Sequence, residues 1–189
     1  MGIKNFVRPA IFTGVVLAAG VIGNQTVDGF NWSAFDFVWV TVVLMTAGLL
    51  FEFISTRSSS LVFKAAVGVA VLASLMLVWV NGAVGVLGNE DNPANLMYFA
   101  VIVTGLMGLG LSRFKAKGLA RTMFTMALVQ AIIPVIALSV WGDQYFDDAS
   151  PIPVLVQVLG ITGFFCTMFV FSGLLFRTID LETKNQISA

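Results

Sequence analysis

The sequence predicts an all-α protein, a polytopic membrane helix bundle of six transmembrane helices with both termini cytoplasmic. Three observations predict it. First, the 189 residues are 58% hydrophobic and only 11% charged, against roughly 25% charged in soluble domains. Mean hydropathy is +0.96, and so short and apolar a chain cannot cover its own surface with polar groups in water. Second, the apolar residues fall into stretches close to the roughly 20 residues needed to cross a hydrocarbon core of about 30 Å. Third, all 10 Lys and Arg residues fall on one side of those stretches.

The stretches run near Phe6–Ile22, Ala34–Ile54, Leu61–Leu87, Asn95–Ser112, Leu119–Trp141 and Pro153–Phe176, so residues 1–189 form a single transmembrane domain. None shows the apolar/polar alternation of a barrel strand. Lys4 and Arg8 precede the first. Arg57 and Lys64 bracket the turn from the second to the third. Arg113, Lys115, Lys117 and Arg121 sit between the fourth and fifth, and Arg177 and Lys184 follow the sixth. The opposite connections hold Asp28, Asp36, Glu90, Asp91, Asp143, Asp147 and Asp148 without a Lys or Arg. The positive-inside rule then places both termini in the cytoplasm, which requires an even number of spans.

The first span is short and has Pro9 near its start. A basic start and an apolar stretch ending near Ala18-Ala19-Gly20 also outline a signal peptide, but Leu17 stands where cleavage prefers a small residue. The first span is therefore expected to be retained. Small residues at every fourth position let membrane helices approach closely. Three such ladders are present: Ala10, Gly14, Ala18 in span one; Ala66, Ala70, Ser74 in span three; Ala100, Thr104, Gly108, Ser112 in span four. Pro134 is expected to kink span five. Trp32, Trp39, Trp79, Trp141 and Tyr145 lie mostly toward the acidic side, as an aromatic belt would. Cys166, among Phe164, Phe165, Phe169 and Phe171, is expected to be a buried, inert thiol.

Charged and amide groups at membrane depth are expensive and so mark candidate sites. Antiparallel spans two and three create two candidate layers. Glu52 pairs with Lys64 or Arg57 in one, and Asp36 meets Asn81 in the other. The plain readings are an interfacial ion pair and a helix cap. The functional reading is a protonatable carboxylate on a polar path that Thr104 and Gln130 extend. No continuous track of charges crosses the membrane, which counts against a proton pump.

The stretch Asn81-Gly82-Ala83-Val84-Gly85-Val86-Leu87-Gly88-Asn89-Glu90-Asp91-Asn92-Pro93-Ala94-Asn95-Leu96-Met97-Tyr98 stands apart. Its glycines loosen the end of span three. Asp91 or Asn92 is placed to cap span four, Pro93 suits a first helical turn, and Asn95 can reach back toward the cap. The alternative is a small site for a cation or polar ligand built from Glu90, Asp91 and Asn92, with Asp36 as an optional fourth member and oxygen ligands suited to Ca²⁺ or Mg²⁺. The spacing is not that of an EF-hand loop. With Trp32-x-x-x-Asp36-Phe37 and Gly48-x-x-x-Glu52 upstream, this stretch resembles an uncharacterised group of small bacterial multi-pass inner-membrane proteins. The resemblance is clearest from Trp32 to Tyr98. It implies a place in the bacterial inner membrane and no activity.

Without a single His and with one Cys, the chain has no His-based metal site, Ser-His-Asp triad or intrachain disulfide. Zero net charge offers no field for nucleic acid. No cofactor or metal is called for, and no catalytic residue is assigned. The leading expectation is a non-enzymatic accessory or scaffold subunit in the bilayer, meeting a membrane-protein partner or copies of itself through helix contacts. The alternative is a small oligomeric transporter or channel lined by Asp36, Asn81, Glu52 and Gln130. A lipid-modifying enzyme is third, for want of an acid-base pair.

Overall fold

A computed structural model describes residues 2–87, 92–145 and 151–188, with the side chains of 141–145, 151–155, 184, 187 and 188 excepted. Among these residues every regular element is a helix: α1 (Ile3–Thr26), α2 (Ala34–Ser55), α3 (Leu61–Ala83), a 3-10 helix (Pro93–Tyr98), α4 (Phe99–Ser112), α5 (Ala116–Tyr145) and α6 (Pro151–Ser188). Six helical stretches are long and apolar enough to cross a membrane, the 3-10 helix and α4 together forming the fourth.

Several boundaries differ from those expected. α1 has 24 residues and runs through Pro9, so the first span is not short. α6 continues for 38 residues, well past Phe176. A window of apolar residues ends where charges begin, but a helix does not. No Gly or Pro interrupts residues 177–188, and Leu, Glu, Lys and Gln there are good helix formers. α3 stops at Ala83, short of Leu87, and the fourth span opens with 3-10 turns. α5 passes through Pro134 as one helix.

The chain divides into two compact units, Met1–Arg57 and Ser58–Ala189. The first is an antiparallel hairpin of α1 and α2. Its seam is built on glycines: a Cβ on Gly48 would lie 2.6 Å from that of Pro9, and one on Gly20 would lie 2.6 Å from the Trp32 ring. Trp32 also stacks edge-on with Phe37 and tilts against Phe30, which covers Gly23. The buried face of α1 is therefore Pro9, Thr13 and Gly20, not the expected ladder Ala10, Gly14, Ala18. Nothing lies within 4 Å of a Cβ placed on Gly14. The aromatic rings of the connection and the Pro9–Gly48 contact set the facing side, one position round from the small stripe.

The second unit packs α3, α4, α5 and α6 along three antiparallel seams. At the α3–α6 seam the Ser172 hydroxyl donates to the Ala66 carbonyl at 2.8 Å, and Phe63 meets Phe176 edge-on. At the α5–α6 seam the Cys166 thiol donates to the Ala127 carbonyl at 3.4 Å, and Gly173 lies under Phe124 and Met123. At the α4–α5 seam Gly108 faces Thr122, Gly105 faces Met126, and Ser112 faces Gly118. The ladder of span four is thus half used. Gly108 and Ser112 face α5, while Ala100 is exposed and Thr104 donates to its own helix at Ala100. In span three Ala66 is fully buried, with Ala70 and Ser74 only half so.

These registers gather the basic residues. In the first unit Arg8 lies level with Glu52, so Lys4, Arg8 and Arg57 share the end formed by the start of α1 and the end of α2. In the second, the Phe63–Phe176 and Gly173–Met123 contacts bring Lys64, Arg177 and the first turns of α5 to one end. The α4–α5 turn at that end carries Arg113, Lys115 and Lys117.

Candidate functional site

The described parts of the distinctive stretch, residues 81–87 and 92–98, form a clamp. α3 ends as the Val84 and Gly85 N–H groups both donate to the Val80 carbonyl. Gly85 takes φ +76°, a left-handed conformation that a side chain would strain. Val86 and Leu87 then turn inward with no exposed surface. Buried backbone needs partners, and Asn95 supplies them. Its Oδ1 accepts from the Val86 and Leu87 N–H groups at 3.0 and 2.8 Å, and its Nδ2 donates to the Leu87 carbonyl at 3.3 Å. Asn92 caps the 3-10 helix, its Oδ1 accepting from the Ala94 N–H at 2.9 Å, with Pro93 in the first turn. Asn95 does reach back, as a splint for the preceding segment rather than toward the cap. Glu90 and Asp91, the other members of the suggested cation site, lie outside the described residues, as do Asp147 and Asp148.

Asn81 sits one turn from the end of α3, its Nδ2 donating to the Leu77 carbonyl at 2.8 Å. Its Oδ1 is buried and has no donor among the described residues. It borders a cavity of about 10 Å³ between α3 and the start of α4, lined by Leu77, Val78, Tyr98, Phe99 and Ile102. That is about the room one water needs.

Asp36, expected to meet Asn81, makes local bonds. Asp36 closes a capping box on α2: its Oδ2 accepts from the Ser33 N–H and hydroxyl, both at 2.7 Å, and its own N–H donates to Ser33 Oγ at 3.4 Å. The sequence Ser33-Ala34-Phe35-Asp36 has the spacing such a box needs, and the carboxylate also suits the positive end of the helix. Glu52, expected beside Lys64 or Arg57, also has a partner on α1. Glu52, 7% exposed, pairs with Arg8 of α1 at 3.4 Å. The hairpin explains it, since residues equally far from its turn come level. Arg57 places its guanidinium 4.5 Å over the Phe53 ring. Lys64 stands half-buried in the first turn of α3.

Gln130 has no exposed surface, and neither polar atom of its side chain has a partner among the described residues. Thr162, on α6, is buried in the same condition. Cys166 is half-buried and tied to the Ala127 carbonyl. Three residues escaped the sequence analysis: Arg8 as the partner of Glu52, Thr162, and Asn24. Asn24 splints the α1–α2 connection as Asn95 splints its own, accepting from the Trp32 N–H and donating to the Trp32 carbonyl, each at 2.8 Å. An Asn within reach of a Gly- or aromatic-rich connection was the available signal.

What these groups do chemically is limited. Asp36, Asn92, Asn95 and Asn24 satisfy backbone or capping groups, and Glu52 is engaged with Arg8. Among the described residues no three of Asp, Glu and Cys come together in a metal-binding group. No known protein family, curated protein or solved structure matches the chain.

Proposed function

We propose that the chain is a multi-pass protein of the bacterial inner membrane, with both termini cytoplasmic, acting as a non-enzymatic accessory or scaffold subunit through helix contacts. One observation carries this reading. Asp36, Glu52, Asn92 and Asn95, four of the polar groups that sequence marked as candidates, are engaged within the chain, whereas small-residue faces remain open. On α6, Gly160, Gly163 and Thr167 form an exposed stripe, and nothing lies within 4 Å of a Cβ placed on either glycine. On α1, Gly14 and Ala18 are exposed likewise. In a bilayer such faces let a second helix approach closely. The basic ends of both units support the orientation. The resemblance of the stretch from Trp32 to Tyr98 supports the bacterial inner membrane.

The transporter reading is weaker. Two of its four lining residues, Asp36 and Glu52, are held by Ser33 and Arg8. Extraction of the tagged protein in mild detergent, followed by native mass spectrometry, separates the two. A stoichiometric partner that dissociates when Gly163→Leu or Gly14→Leu is introduced is the expected result. A lone monomer with unchanged mass in both variants would overturn the reading, and flux lost in Glu52→Gln at normal expression would favour transport.

A further inference from the structure

The buried pair Gln130 and Thr162 is not absorbed by the proposed function. Hydroxyls within these helices are mostly satisfied by their own backbone. Thr41, Thr104, Thr122, Thr125, Ser139 and Thr167 each donate to the carbonyl four residues back. Thr162 makes no such bond, and its Oγ1 has no partner among the described residues. Register brings it to Gln130. The Cys166 thiol meets the Ala127 carbonyl, Gln130 lies three residues further along α5, and Thr162 four residues back along antiparallel α6. Both therefore stand one turn from the same contact, on the faces that meet. A third group belongs to this level. Pro134 lacks an N–H, so the Gln130 carbonyl has lost the donor that an ordinary residue at 134 would supply.

A buried amide and a buried hydroxyl thus collect at one level of an apolar seam, beside a carbonyl whose regular helical donor Pro134 removes. Ala127, Ile133 and Ala137 of α5 and Val158 and Phe165 of α6 are buried on either side. We propose that Gln130, Thr162 and the Gln130 carbonyl form an internal water site, a hydrated joint between α5 and α6 beside Pro134. The chemistry selects water. The Gln130 Nε2 hydrogens need an acceptor, the two carbonyl-type oxygens need donors, and the hydroxyl can serve as either. A metal cation would satisfy the oxygens and face the amide hydrogens. Moreover, no Asp or Glu lies in 61–83, 93–112, 116–140 or 156–176 to balance its charge. An anion would satisfy the amide hydrogens and face two oxygens. One or two waters, which donate and accept together, satisfy the set. Ordered water also lets a membrane helix tolerate proline, because it replaces the missing N–H.

The test uses the full chain in lipid bilayers with the glutamine side-chain amides labelled with ¹⁵N. Solid-state NMR reads magnetisation passing from water to each amide at short mixing time. Exposed Gln25 and Gln186 serve as positive controls, and Gln130→Met assigns the Gln130 signal. The expected result is a water cross-peak at Gln130 despite its burial, reduced several-fold in Thr162→Val and in Pro134→Ala, which restores the backbone donor. A folded wild-type protein with no water cross-peak at Gln130 would overturn the proposal, whether the amide pairs within the protein or stays unpaired. A cross-peak unchanged in folded Thr162→Val would overturn the shared site. The wild-type spectrum decides the presence of water even where a variant does not fold.

Discussion

Asparagine does in this chain what a short β-bridge does in a soluble protein. Backbone that leaves a helix loses its regular partners, and where it is buried, as at Val86 and Leu87, no water replaces them. An Asn amide offers a donor and an acceptor at matched spacing. Asn24 spends both on one residue, Trp32, and Asn95 spends its own on Val86 and Leu87. Asn95→Leu keeps the volume roughly constant and orphans two buried N–H groups. At about 1–3 kcal/mol for each buried group left unpaired, it is expected to destabilise the protein by about 2–6 kcal/mol. A detergent-solubilised thermal unfolding series checks it, and a loss below about 1 kcal/mol would show that the clamp contributes little. Ser33→Ala removes only the hydroxyl of the capping box, and a loss near 1 kcal/mol is expected in the same series. The sequence announced the unusual stretch and the Ser-x-x-Asp spacing. It did not announce which backbone Asn95 would splint, because that depends on α3 ending at Ala83 and on Gly85 turning the chain back.

Helix existence was legible almost everywhere, and helix faces were not. Twenty-odd apolar residues between basic or polar flanks are enough to indicate a helix, which is why the six expected stretches overlap the six observed ones. The side that faces a neighbour is a different question in a membrane, since both faces are apolar and hydrophobic periodicity vanishes. Small residues were the remaining clue, and they misled at α1 because the Pro9–Gly48 contact outranks the Ala10-Gly14-Ala18 stripe. That contrast is measurable. Gly48→Ala would place a methyl 2.6 Å from Pro9 Cβ and is expected to cost about 1–3 kcal/mol as overpacking. Gly14→Ala meets open space and is expected to be neutral or to stabilise α1 by up to about 1 kcal/mol through helix propensity. Equal effects of the two substitutions on thermal stability would refute the seam. At the α4–α5 seam Gly108→Val belongs with Gly48→Ala, because Thr122 already fills the space a side chain would take.

At the scale of the whole chain, charge and length act together. Each unit carries its basic residues at one end, and the acidic connection residues Asp28 and Asp36 lie at the other end of the first unit. Lys and Arg near span ends set orientation because they resist translocation, whereas Asp and Glu contribute little. The 38 residues of α6 extend about 57 Å at 1.5 Å per residue, against a hydrocarbon core of about 30 Å. The excess lies at the Arg177–Ser188 end, where the charged residues sit, so under the proposed topology the helix would leave the bilayer on the basic side as a projecting arm. Orientation and arm are then one prediction. In a Cys166→Ser background, single cysteines at Asn31, Ser59, Lys115 and Glu182, all exposed, report the side each occupies. A membrane-impermeant maleimide applied to intact bacterial cells stripped of their outer membrane is expected to label the Asn31 position alone. Permeabilised cells are expected to add Ser59, Lys115 and Glu182. Labelling at Lys115 or Glu182 before permeabilisation would invert the topology. Because the basic residues of both units would then have crossed the membrane together, it would also remove the charge argument for orientation altogether.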